Sequence, residues 1–120
     1  MKALVLESAI NGVCFILKVV EEITKLLWQA SEDRRVCRIS MKGEPLSRVV
    51  HPYGICRTSA NRIVLVCWQT LGFTKAGGKA GYRNLLLEDI RNVEFAEGKF
   101  HTQPDFNPGD TQYEEWVYHI

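Results

Sequence analysis

Apolar residues recur at alternating steps of three and four along the first part of the chain: Leu6, Ala9, Val13, Ile16, Val20, Ile23, Leu27 and Ala30. Glu7, Asn11, Lys18, Glu22, Lys25 and Gln29 form the opposite stripe, which is the period of an amphipathic helix. Ile10, Cys14 and Leu17 widen the apolar face in its first half. Asn11-Gly12 also carries a hairpin signal, and Val13, Phe15, Val19 and Val20 would suit a strand. The pattern predicts a helix from about Val13 to Ala30, ended by Ser31-Glu32-Asp33. Such a helix can cap a small barrel. A three-four repeat is also a coiled-coil seam, so its N-terminal half is a candidate surface for a second chain.

Beyond the helix the period shortens. Arg34 to Met41 alternates Val36, Arg38, Ser40 against Cys37, Ile39, Met41, a strand with one buried face. Lys42-Gly43-Glu44-Pro45 is a turn. Two apolar runs follow, Val49 to Cys56 and Ile63 to Trp68, joined by the polar break Arg57 to Arg62. Rich in stiff β-branched residues, they read as a central hairpin. Pro52 cannot donate to a ladder, so the first run is expected to be an edge or to bend near His51-Pro52. Gln69 to Gly81 is a loose connection, basic and glycine-rich from Lys75. Tyr82 to Leu87 and Ile90 to Ala96 read as strands either side of Glu88-Asp89. Phe100 to Asp110 is a loop of turn formers. Thr111 to Ile120, with Tyr113, Trp116, Val117 and Tyr118, is close to a helical face, and Asp110 or Thr111 would cap a short C-terminal helix. The sum is mainly β with an N-terminal helix: a small five-stranded barrel of Sm-like or SH3 type.

A chain of 120 residues makes one domain, divided here into an N-terminal helical extension, 1–22, and the barrel, 23–120. A net charge of +1 provides no whole-molecule field for nucleic acid, so any electropositive site must be local. Cys14, Cys37, Cys56 and Cys67 are widely spaced with no close pair, which argues for buried free thiols and against a metal. No stretch of 18 uncharged residues is present, and Glu7 interrupts the region where a signal peptide would be apolar, so a cytoplasmic protein is expected.

Five segments, in order, carry a family resemblance. They are Arg34-Arg35-Val36; Arg48-Val49-Val50-His51-Pro52-Tyr53-Gly54-Ile55; Arg62 to Trp68; Tyr82-Arg83-Asn84 through Ile90; and Phe100 with Phe106-Asn107-Pro108. Their order and spacing resemble the WYL domain over residues from about Ile23 to Tyr113. The resemblance implies an Sm-like, SH3-type barrel that regulates bacterial transcription by sensing a ligand, proposed for the family to be a nucleic acid fragment or another anion. Arg48 matches the family's arginine before Pro-Tyr, and Arg83 the arginine of its later strand; Tyr53 stands beside the first. The name-giving Trp-Tyr-Leu reads Ile63-Val64-Leu65 here, and a second basic position is Leu86. The roughly twenty residues ahead of the shared region are fewer than the family's usual winged helix-turn-helix needs, so a stand-alone module is expected.

Arg48, Tyr53, Lys79, Tyr82 and Arg83 are the candidate ligand-binding residues. Cations beside aromatic rings suit single-stranded nucleic acid, since charges track phosphates and rings stack on bases. The rival is a protein-interaction barrel, dimeric through its N-terminal helix, in which these charges are incidental. No cofactor is implied, and catalysis is not expected. His51 and Cys56 should face opposite sides of their strand. His101 and His119 have no evident partner, and Glu88-Asp89 and Glu114-Glu115 diverge as sequence neighbours do.

Overall fold

A computed structural model describes residues 19–74 and 78–120. The expected start of the helix, Cys14, and Lys75 to Gly77 lie outside the described residues. Helix α1, residues 19–33, presents Ile23, Leu27 and Ala30 inward at 6%, 0% and 0% exposure. It runs through Ser31-Glu32-Asp33 and closes at Arg34, whose φ of 55° is left-handed, the usual way to end a helix. The Arg34 guanidinium donates to the Ser31 carbonyl at 2.6 Å.

Six antiparallel strands follow: β1 Arg35–Met41, β2 Arg48–Thr58, β3 Ile63–Gly72, β4 Gly81–Leu86, β5 Ile90–Lys99 and β6 Tyr113–His119. A 3-10 turn, Leu87–Asp89, links β4 to β5. The sheet order is β4-β3-β2-β1-β5, with β6 paired to β2. No pairing joins β4 to β5 among the described residues, so the sheet is mainly β architecture with an open path.

Pro52 sits where β2 changes partner. Arg48 to Val50 pair with β1, and Gly54 to Thr58 pair with β6. Pro52 itself has no partner in either of these ladders, though it stands opposite Cys67 of β3. The expected bend is present: the register with β3 shifts between Pro52 and Gly54. The alternative expectation of an edge strand is corrected, because β2 is central, flanked by β3 on one side and by β1 and β6 on the other. The Ser31 hydroxyl donates to the Pro52 carbonyl at 3.0 Å and ties the helix end to this bend.

The shift has a second consequence. Tyr53 is the extra residue, and side-chain alternation slips by one position across it. His51 stacks on Phe100 at 4.7 Å, and Phe100 and Cys56 belong to one cluster. His51 and Cys56 therefore share the outer face, correcting the expectation that they oppose each other.

The expected C-terminal helix is also corrected. Residues Tyr113–His119 form strand β6, with Ile55 opposite Tyr118 and Cys56 opposite Trp116. Register shifts between Ile55 and Cys56 and between Arg57 and Thr58 break its alternation, leaving an apolar spacing that resembles a helical face. Side chains fill both faces of the sheet. The inner face packs Cys37, Ile39, Val50, Ile55, Leu65 and Cys67 beneath α1. The outer face packs Tyr53, Cys56, Val64, Val66 and Phe100 beneath Phe106, Tyr113 and Trp116. Among the described residues no helix is long and apolar enough to cross a membrane.

Candidate functional site

Arg48 is only 7% exposed and is fully engaged. Its guanidinium grips Glu44 with two hydrogen bonds, Nε to Oε1 at 2.9 Å and Nη2 to Oε2 at 2.7 Å. A third bond, at 2.9 Å, goes to the Gln69 side-chain oxygen. Gln69 passes the connection on, its amide donating to the Phe73 carbonyl at 2.8 Å. The bidentate pairing neutralises the buried charge, as a buried guanidinium requires. The network also pins the exit of β3 against the β1–β2 turn, helped by Phe73 N–H donating to the Ser47 carbonyl at 3.2 Å. Gly72 permits this approach: its φ is 102°, and a side chain would collide with the Ser47 carbonyl.

Arg83 holds the other side of the β3–β4 connection. It donates to the Tyr82 carbonyl at 2.9 Å, the Lys79 carbonyl at 2.5 Å and the Thr74 hydroxyl at 3.3 Å. Its Nε is buried without a partner, and no carboxylate among the described residues lies within ion-pair distance. Lys79 is exposed. Arg57, by contrast, faces Glu115 at 3.4 Å. Arg48 and Arg83 both act on the Cys67 thiol, lowering its pKa against a larger upward push from burial that leaves it at about 12. Burial likewise lifts Cys37 to about 12. Thiols held this firmly protonated are poor nucleophiles.

Tyr53 and Tyr82 lie together on the outer face, ring centroids 6.2 Å apart and edge to face. Tyr53 is fully buried, and its hydroxyl accepts the Gln103 N–H at 2.8 Å. Tyr82 stands at the rim and donates to the Asp105 carboxylate at 2.5 Å. Burial raises its pKa first, and the bond to Asp105 raises it further. The structure thus joins Tyr53 to Tyr82, and Arg83 to Lys79, while Arg48 belongs to the buried network.

Tyr82 and Arg83 line a cavity of about 260 Å³ together with Asn84, Asp105, Phe106, Asp110 and Tyr113. Burial raises the Tyr113 pKa, and the Asp110 charge adds to it. Sequence reasoning placed none of these last four in a site, because 105 and 110 lie among turn formers and Tyr113 on an expected helix. Gln69 and Glu44 were missed as well; both occupy a connection or turn in the pattern. A polar Gln69 directly after the apolar run Ile63 to Trp68 was the available signal. Among the described residues no three His, Cys, Asp or Glu side chains converge as metal ligands would. Comparison with protein-family models, curated proteins and solved structures finds no match to this chain.

Proposed function

We propose that this chain is a WYL-like ligand-sensing module that recognises an anionic ligand, a nucleotide or short single-stranded nucleic acid, through Arg83 and Lys79, and serves transcriptional regulation in the cytoplasm. The observation that carries the reading is the state of Arg83. It alone among Arg48, Arg57 and Arg83 lacks a carboxylate partner among the described residues. A phosphate oxygen is the kind of acceptor such a guanidinium takes. Lys79, exposed and tied to Arg83 through its backbone carbonyl, adds a second positive charge, and Tyr82 a ring for stacking. Arg48 and Tyr53 contribute indirectly: one anchors the β3–β4 connection, the other the segment around Gln103.

The strand order supports a small Sm-like or SH3-type barrel. β1 to β4 form a meander, and β5 returns to pair with β1. This is the order that curls a sheet around one core, here the apolar inner face beneath α1. The module is read as non-enzymatic: burial holds the Cys37 and Cys67 thiols protonated, which makes them poor nucleophiles.

The test is a binding titration. Fluorescein-labelled d(TTTTT) at low salt should bind the wild-type chain, and Arg83→Ala should weaken binding about tenfold. Two phosphate contacts give a log–log salt slope of about −1.4, at ~0.7 per contact on a single strand. No binding to oligonucleotides or nucleotides, or unchanged binding by Arg83→Ala, would remove the reading.

A second reading has its own observation. Trp28, 46% exposed, stacks on Tyr118 at 5.1 Å near Val117, which is 58% exposed, and the outer edge of β6 pairs with no strand among the described residues. These features suit a protein-interaction barrel. Light scattering of wild type and of a chain lacking Met1 to Asn11 tests the dimeric form through the helix; an unchanged monomer counts against it.

A further inference from the structure

The cavity beside Tyr82 and Arg83 carries groups that a site for a simple anion does not need. Asp105 and Asp110 line it, and neither is ion-paired with a described cation. Phe106 stands between them with its ring centroid 6.4 Å from Tyr82 and 6.4 Å from Tyr113. Inorganic phosphate alone would be repelled by both carboxylates and would leave the rings unused. A ligand that satisfies the whole lining has three parts: a negative group for Arg83, a flat apolar face for the rings, and N–H donors for the carboxylates. A nucleotide has all three.

The volume narrows the choice. About 260 Å³ is close to the roughly 300 Å³ at which sites for small molecules begin, room enough for a single base. Ionised carboxylates only accept hydrogen bonds. Guanine presents two adjacent N–H donors on its Watson–Crick edge and can pair with one carboxylate through both. Thymine presents one N–H flanked by two carbonyl oxygens, which a carboxylate repels. Asp105 is held for this role. It is exposed at the rim, and the Tyr82 hydroxyl fixes one of its oxygens at 2.5 Å while the other has no hydrogen-bond partner among the described residues. Asp110 is held in turn by the Gln112 N–H at 3.0 Å.

We propose that this groove reads a single guanine, stacked against Phe106 and hydrogen-bonded to Asp105, while the attached phosphate meets Arg83. The proposal rests on the anion-binding reading above and specifies its ligand. Tyr82 acts as a positioning residue for the Asp105 carboxylate.

Competition anisotropy with d(TTGTT) and d(TTTTT) at low salt tests it on the wild-type chain and on Asp105→Asn. Wild type should bind d(TTGTT) about tenfold more tightly, within the range of one bidentate base contact. Asp105→Asn should abolish that preference while binding d(TTTTT) at least as well, since it removes a negative charge. Tyr82→Phe should reduce the preference without abolishing d(TTTTT) binding. Equal wild-type affinities for the two oligonucleotides would overturn the guanine assignment and leave the anion reading standing. A preference that survives Asp105→Asn would overturn the role of that carboxylate. Binding of neither oligonucleotide would overturn both.

Discussion

The two faces of the sheet are built from different kinds of side chain. The inner face is aliphatic and sulfur-bearing: Ile39, Val50, Ile55, Leu65, Cys37 and Cys67 under the Leu27 side of one helix. The outer face sets Cys56, Val64 and Val66 among aromatic side chains, Tyr53, Phe100 and Tyr82, with Phe106, Tyr113 and Trp116 of the C-terminal segment packed over them. Aliphatic side chains fill a space and leave no polar end to place. Aromatic residues with hydroxyl or indole groups bring polar ends that must be satisfied, and these fasten the covering segment: Tyr53 accepts from the Gln103 N–H, Tyr82 donates to Asp105 and Trp116 donates to the Pro108 carbonyl. The inner face therefore holds the fold, while the outer face orders the loop that carries Asp105 and Asp110.

Truncation of the inner face should have the largest effect. Leu65 is fully buried beneath the helix, and Leu65→Ala should lower global stability by about 3 kcal/mol in urea denaturation. Gly54 lies where β2 meets β6, and a side chain there would run into the Tyr118 carbonyl. Gly54→Ala should destabilise by about 2 kcal/mol, with hydrogen-exchange protection lost first in β6 and retained in β1 and β3. Protection lost uniformly would mean that the two faces open as one unit. Tyr53→Phe removes the acceptor of the Gln103 N–H and should cost about 1 kcal/mol, localised to the 100–106 segment.

The smallest effect is a pH dependence. His51 stacks on Phe100, and burial lowers its pKa below the ordinary 6.5. The unfolded chain then binds the proton more readily than the folded one. Its contribution to stability is complete above about pH 6.5 and is lost as pH falls toward the lower folded-state value. Thermal melts between about pH 7.5 and 5 should show a steeper acid-side decline for wild type than for His51→Phe. Equal slopes would assign the decline to other groups.

The same division governs what the sequence disclosed. Strand β1 was legible because Cys37, Ile39 and Met41 alternate with polar positions, β2 and β3 because they are apolar runs rich in β-branched residues, and α1 because Ile23, Leu27 and Ala30 keep helical spacing. β6 was hidden because two register shifts erase its alternation. The common face of His51 and Cys56 was hidden by the slip at Tyr53. The candidates Arg48, Tyr53, Lys79, Tyr82 and Arg83 were all nameable from order and charge, and the proposed site keeps Arg83, Lys79 and Tyr82. The engagement of Arg48 by Glu44 and the approach of Asp105 to Tyr82 depend on contacts between distant segments or across a turn, which no local period records.

The most direct measurement of the central claim observes Arg83 itself. In a ¹⁵N-labelled chain the Arg83 Nε–H resonance, assigned by its absence in Arg83→Lys, should shift and saturate as d(TTGTT) is added at low salt, while the Arg48 Nε–H, bound to Glu44, stays in place. An oligonucleotide that binds with Arg83 unmoved, or that leaves every resonance unmoved at saturating concentration, would contradict the account.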